Sequence, residues 1–288
     1  MNIKPWSKMP VEWIRDGRLK MFSWPSDGSA GTAALMLYFV ICHFIAERGP
    51  RVRERSDAAQ LVLSTSLASR YDAHLGPAPA IANNGFVEGA LAIAGIEALA
   101  SPPIANEMTA HLTYDDFAAM AGLSRKSISS GLALLEERSM IERPGSARSS
   151  DYILVGLADR QWAKLPGQAL LSDARTNFKP LTRLNLRSRY ELDALKLYFY
   201  FASIRSHHEA YSEASYEKIA ERTGVSERNI PRANALLVAA EFLARYERGS
   251  GQGHGGIRGG SNRYFLEGYK SFMLPARASL EAQTEVPQ

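Results

Sequence analysis

LTYDDFAAMAGLSRKSISSGLALLEERSMIERPGSARSSDYIL, residues Leu112–Leu154, holds two short helical patterns separated by one glycine. Thr113 precedes Asp116 by three residues, the spacing of a capping box that satisfies two orphan backbone donors. Phe117, Met120 and Ala121 then share a face. Gly122 follows where a helix needs a left-handed residue to stop. Leu123 turns into the core and Ser124 is placed to cap a second helix. That helix carries Ile128, Gly131, Leu132 and Leu135 as one apolar stripe. Its other face, Arg125, Lys126, Ser129 and Ser130, is short, polar and basic. Met140–Arg143 and Tyr152–Val155 read as strands around the turn-rich PGSARSS, which carries Arg148.

The pattern recurs 102 residues later as SYEKIAERTGVSERNIPRANALLVAAEFLAR, Ser215–Arg245. Tyr114 falls on Tyr216, Ala118 on Ala220, Gly122 on Gly224, Ile128 on Ile230, and Leu134–Leu135 on Leu236–Leu237. Two copies with cap, glycine and apolar positions in register exclude a chance hairpin. Helix, glycine turn, helix and β-hairpin, twice, predict a mainly α chain with small β-hairpin wings (α+β). The expected architecture is two tandem winged helix-turn-helix domains.

The repeat unit is longer than these two helices. Trp6-Ser-Lys8-Met-Pro10 returns as Trp162-Ala-Lys164-Leu-Pro166, and Ala34-Leu-Met-Leu-Tyr-Phe39 as Ala194-Leu-Lys-Leu-Tyr-Phe199. Packing is the plain role for the Trp and Pro: an aromatic plug and a fixed φ at a domain edge. The expected boundaries are 1–157 for the first winged-helix domain, with a helical insertion at 47–108, and 158–275 for a linker plus the second. A tail at 276–288 has little to bury and is expected to be disordered. The insertion holds Arg51, Arg53 and Arg55 and two helical stretches, Asp57–Tyr71 and Phe86–Leu99. Those helices either cover a neighbouring surface or mediate self-association, and local packing is the favoured reading. The linker carries Arg175, Lys179, Arg183, Arg187 and Arg189 with no acid between them, suiting a solvated face and phosphate tracking equally.

Composition sets the class. The chain has 288 residues, 45% of them apolar, enough for two cores of ordinary size, and a formal net charge of +4. A mild basic excess is compatible with nucleic acid without indicating it. A single cysteine, Cys42, excludes an internal disulfide and a cysteine-based zinc site. MNIKPWSKMPVEW lacks the apolar core of a secretory leader. The longest apolar run, Ala33–Ala46, is shorter than the ~20 residues that span a bilayer. A cytoplasmic protein without membrane contact is expected.

Copy two departs from copy one at Pro231, which should bend its second helix or delay its start. Asn234 also stands where copy one has the apolar Leu132. Phe242–Arg248 and Asn262–Leu266 read as strands around GSGQGHGGIRGG. That loop contains Gly251-x-Gly253-x-x-Gly256, but it lies between strands with no following helix, so it is no dinucleotide site. From Arg228 to Arg263 six arginines face two glutamates. The loop, with His254, Arg258 and Arg263, reads as a flexible arm toward a minor groove or backbone.

No catalytic constellation emerges. The six histidines are scattered, no Gly-x-Ser-x-Gly elbow occurs, and His207-His208-Glu209 lacks metal-ligand spacing. A non-enzyme without metal or cofactor is expected. The order Trp-x-Lys-apolar-Pro, first apolar helix, YEKIAERTGVSERNI and wing resembles the winged-helix modules of phage and plasmid replication initiators and replisome organisers. That resemblance covers both halves apart from the insertion and tail. It implies binding of double-stranded DNA at repeated origin sites, with recruitment of replication machinery. The second helix of each pair would enter the major groove. Arg125 and Lys126 suit guanine edges, and Ser129 and Ser130 suit short contacts. In copy two Arg228, Asn229 and Arg232 take those places, with Asn229 suited to adenine. A transcriptional regulator, and a protein-interaction module, are the alternative readings.

Overall fold

The computed structural model describes residues 3–47, 108–144, 150–157, 161–206, 208–249 and 260–270. The helical stretches expected at Asp57–Tyr71 and Phe86–Leu99, Arg51, Arg53 and Arg55, residues 145–149 with Arg148, the glycine-rich segment with His254 and Arg258, His207 and the tail lie outside the described residues.

Two helices form the centre because most of each is apolar and buried. Helix α3 (Trp24–Phe44), broken at Gly28, buries every residue from Gly31 to Cys42. Helix α7 (Arg189–Ile204) buries Leu192 and all of Ala194–Ala202, Lys196 included. A helix without a polar face has to be enclosed by protein. The two pack on each other, with Tyr38, Phe199 and Trp13 meeting edge to face at centroid distances of 5.0–5.8 Å. Trp13 belongs to α1 (Glu12–Arg15), which α2 (Arg18–Met21) follows.

Around each central helix the same order of elements repeats. In the first half α3 leads to β2 (Ile45–Glu47), β3 (Met108–His111), α4 (Tyr114–Ala121), α5 (Arg125–Glu137), β4 (Ile141–Glu142) and β5 (Asp151–Leu154). In the second, β6 (Trp162–Pro166) and α6 (Lys179–Thr182) precede α7. After it come β7 (Ser212–Ala214), α8 (Tyr216–Thr223), a 3-10 turn (Glu227–Asn229), α9 (Ile230–Ala239), β8 (Leu243–Glu247) and β9 (Asn262–Leu266). Both sheets are antiparallel, ordered β2-β3-β5-β4 and β7-β9-β8. In each half the strand preceding the helix pair therefore lies beside the last strand. The chain is α+β with small antiparallel sheets.

The local signals hold. The Thr113 hydroxyl accepts from the Asp116 backbone N–H at 3.2 Å, and the Asp116 carboxylate accepts from the Thr113 N–H at 2.8 Å. Gly122 and Gly224 have φ of 68° and 71°, and each N–H closes the preceding helix at 2.9 Å. Ser139 and Glu241, also 102 residues apart, both take positive φ without being glycine.

The two halves are joined in ways the repeat pattern does not announce. The entry strands β1 (Trp6–Pro10) and β6 pair with each other, antiparallel, in a register centred on Lys8 opposite Lys164. Trp6 and Trp162 stack at 5.8 Å, Lys8 Nζ sits 5.2 Å over Trp162, and Lys164 Nζ sits 4.7 Å over Trp6. The ribbon is thus a local two-fold. Beyond it the halves exchange short helices: α2 packs on α8, and α6 packs on α4. Phe178 N–H donates to the Met120 carbonyl at 3.0 Å. The Arg18 guanidinium donates to the Ser139 carbonyl at 2.7 Å, and its counterpart Arg183 to the Ala239 carbonyl at 3.1 Å. One continuous hydrophobic core, from Ile3 to Leu266, serves both halves.

Candidate nucleic-acid interface

The first candidate surface rests on α5. The Ser124 hydroxyl caps the helix, accepting from Ser127 N–H at 3.2 Å. Ile128, Gly131, Leu132 and Leu135 are buried, which turns Arg125, Lys126, Ser129 and Ser130 outward together, all exposed. Arg125 pairs with Asp115 at 2.8 Å, but both side chains are more than 70% exposed. Such a pair contributes only ~0–1 kcal/mol, so water or a phosphate replaces it cheaply.

The second surface differs at its start. Pro231 lies in the first turn of α9, where a missing N–H leaves no hydrogen bond unmade. The three residues before α9 form the 3-10 turn, so the α-helix begins late, as the proline implied. Arg228 and Arg232 are exposed, with the Arg232 guanidinium 3.9 Å from the Tyr190 ring. Asn229 is placed differently from the expectation. It is 7% exposed and its amide donates to Asp193 Oδ2 at 3.4 Å, so it is not presented to a base edge. The repeat register held the signal, since Asn229 falls on half-buried Ser127 rather than on a reader residue.

Of the remaining candidates, Arg263 is exposed on β9 with its guanidinium 4.8 Å from Tyr211. In the linker, Lys179 and Arg183 both pair with Glu241, at 2.9 and 2.8 Å. That arrangement ties α6 to the end of α9. Arg175, Arg187 and Arg189 are exposed.

Beneath the two surfaces lies a group of buried and half-buried polar residues that the sequence reading missed. Arg138, just after α5, pairs with Asp27 at 2.8 Å with both side chains under 10% exposed. Lys196 on α7 donates to the Phe22 carbonyl at 2.6 Å and feels Asp193 and Asp27 electrostatically. Asp193 holds Asn229. Arg138 after the first surface helix and Asn229 before the second are thus each held by a carboxylate that acts electrostatically on Lys196.

Burial pushes the Lys196 ammonium down from 10.5 to about 8, against the opposing pull of Asp193 and Asp27. The depressed value fixes the sign of a pH effect. Below pH 8 both folded and unfolded chains hold the proton, and burying the charge costs stability. Between 8 and 10.5 the unfolded chain still binds a proton that the folded one has released, so stability rises with pH. Lys196→Met is expected to abolish this rise. From pH 7.5 to 9.5 the parent should gain about 1–2 kcal/mol relative to the variant in urea unfolding. Equal slopes would show that Lys196 does not titrate in this window.

No family model, curated protein or solved structure matches the chain.

Proposed function

We propose that the chain is a sequence-specific double-stranded DNA-binding protein with two winged helix-turn-helix modules, acting as a replication initiator at origin repeats. One observation carries this reading. A capped helix buries one face against the core and presents Arg125, Lys126, Ser129 and Ser130 from its first turns, and the repeat presents Arg228 and Arg232 from the matching place. Short polar and cationic side chains at the start of an exposed helix are what base edges and phosphates in a major groove require. The strand order of each sheet supports it, because the last two strands form the hairpin that a wing needs. The initiator role rests on the resemblance of both halves to phage and plasmid initiator modules.

The two-fold register of β1 and β6 adds a constraint. A duplex touching both surfaces meets them in inverted orientation, so each repeat unit would hold two inverted and unequal half-elements. Arg125→Ala and Arg228→Ala are each expected to cost about 1–3 kcal/mol of binding, relaxing preference within one half-element only. Fluorescence anisotropy with single-base variants of the bound duplex reads this out. If Arg125→Ala leaves affinity and preference unchanged, α5 is not a reader and the exposed face serves a protein partner instead.

A further inference from the structure

We propose that a cleft remote in character from the reader helices binds a small organic phosphate with an aromatic moiety, a ligand of the nucleoside phosphate class. The cleft lies between α1, β6, the C-terminal end of α7, and α8, and has a volume of about 860 Å³. That is within the ~300–1,000 Å³ of small-molecule sites and far more than a lone phosphate ion fills. Its lining includes Arg15, Arg205, Lys218 and Arg222, and no aspartate or glutamate. Four cations without a lining carboxylate make a concave surface that attracts anions, and the low-dielectric walls strengthen the field.

The cationic lining is partly built in advance. Arg205 is 7% exposed, and its Nη1 donates to the Ser206 and Glu209 carbonyls at 2.7 and 2.9 Å. Arg15 donates to Gln161. Arg222 stands 4.0 Å from Glu221 with both side chains about half exposed, a contact too weak to hold it from a phosphate. Nearby Lys164 is pushed down by burial and then by the like charge of Arg205, as a local positive potential requires.

Apolar and aromatic side chains, Ile14, Trp162, Tyr200 and Ile204, share the lining with the cations. Ile204 is among the few large apolar side chains left exposed in the described residues. A duplex backbone would meet the cations and leave Ile204 uncovered. A nucleoside phosphate covers both, placing the phosphates against Arg15, Lys218 and Arg222 and its ring against the apolar side chains. The site does not depend on the DNA-binding reading, since no reader residue lines it.

The test is isothermal titration of the full chain with ATP, AMP and inorganic phosphate, repeated on Arg15→Ala/Arg222→Ala and on Ile204→Asp, with thermal unfolding confirming that both variants fold. A sub-millimolar Kd for ATP or AMP is expected, weakened roughly tenfold or more in each variant, with inorganic phosphate binding less tightly than either nucleotide. Absence of saturable nucleotide binding up to roughly 5 mM would overturn the proposal. Nucleotide binding indifferent to both substitutions would overturn it as well. Phosphate binding equal to that of ATP, unchanged by Ile204→Asp, would remove the aromatic part.

Discussion

Replacing Asp27 by alanine is expected to cost about 3–5 kcal/mol of folding stability, the largest effect of any single change considered. The Asp27 carboxylate accepts from Arg138 Nη2 at 2.8 Å on both oxygens. It also accepts from the Ser23 backbone N–H and the Ser26 hydroxyl, each at 2.9 Å. The side chains of Arg138 and Asp27 are 8% and 5% exposed, and the guanidinium lies 4.0 Å from the Phe22 ring. Alanine would leave that guanidinium buried without its counter-charge and strip the start of α3 of an acceptor. Asp27→Asn, which keeps the shape and loses the charge, should fall between alanine and the parent. Replacing both partners, Asp27→Leu with Arg138→Met, should recover most of the loss, because a buried pair adds little over apolar groups of similar volume. Urea unfolding of the four chains measures this. A loss below about 1 kcal/mol for Asp27→Ala would mean that water reaches Arg138.

Gly131→Val should be the next most damaging change, at about 2–3 kcal/mol. A Cβ at this position would stand 2.7 Å from Leu37 Cδ1, 2.9 Å from the Ala34 backbone nitrogen and 3.1 Å from the Ala33 carbonyl carbon. Two of these are backbone atoms of α3 and cannot step aside. Glycine here lets α5 lie directly on α3, despite the ~1 kcal/mol that a mid-helix glycine gives up to alanine. Pushing the helices apart would also shift Arg125 and Lys126, so under the DNA-binding proposal duplex affinity should fall together with the melting temperature. The second half carries Ala233 at the matching place, fully buried, which shows that its helix pair already accommodates a Cβ. A melting temperature for Gly131→Val equal to the parent's would mean that α5 does not pack so closely.

How far the sequence reached depended on the range of each signal. Thr113 and Asp116, Gly122, Gly224 and Pro231 act within a few residues, and the structure places each as its chemistry implied. The apolar stripe of α5 was equally legible, because helical period alone separates Ile128 and Leu132 from Arg125 and Ser129. Pairings between distant residues were not legible. Trp6-x-Lys8 and Trp162-x-Lys164 stood out as a repeat, yet nothing in their composition says that two copies pair with each other. The Arg138 pairing gave no local signal, because Asp27 is 111 residues away and only the fold brings them together. Asn229 was misplaced for a subtler reason. Pro231 delays the helix, and the 3-10 turn before it directs the amide toward Asp193.

Selection of bound sequences from random duplex DNA by the full chain tests the DNA-binding proposal most directly. The expected result is one enriched site with two inverted, unequal half-elements, and loss of information in one half-element alone when Arg125→Ala is selected in parallel. Retention of duplex without any enriched sequence, or an enriched site unchanged by Arg125→Ala, would contradict sequence-specific reading by α5.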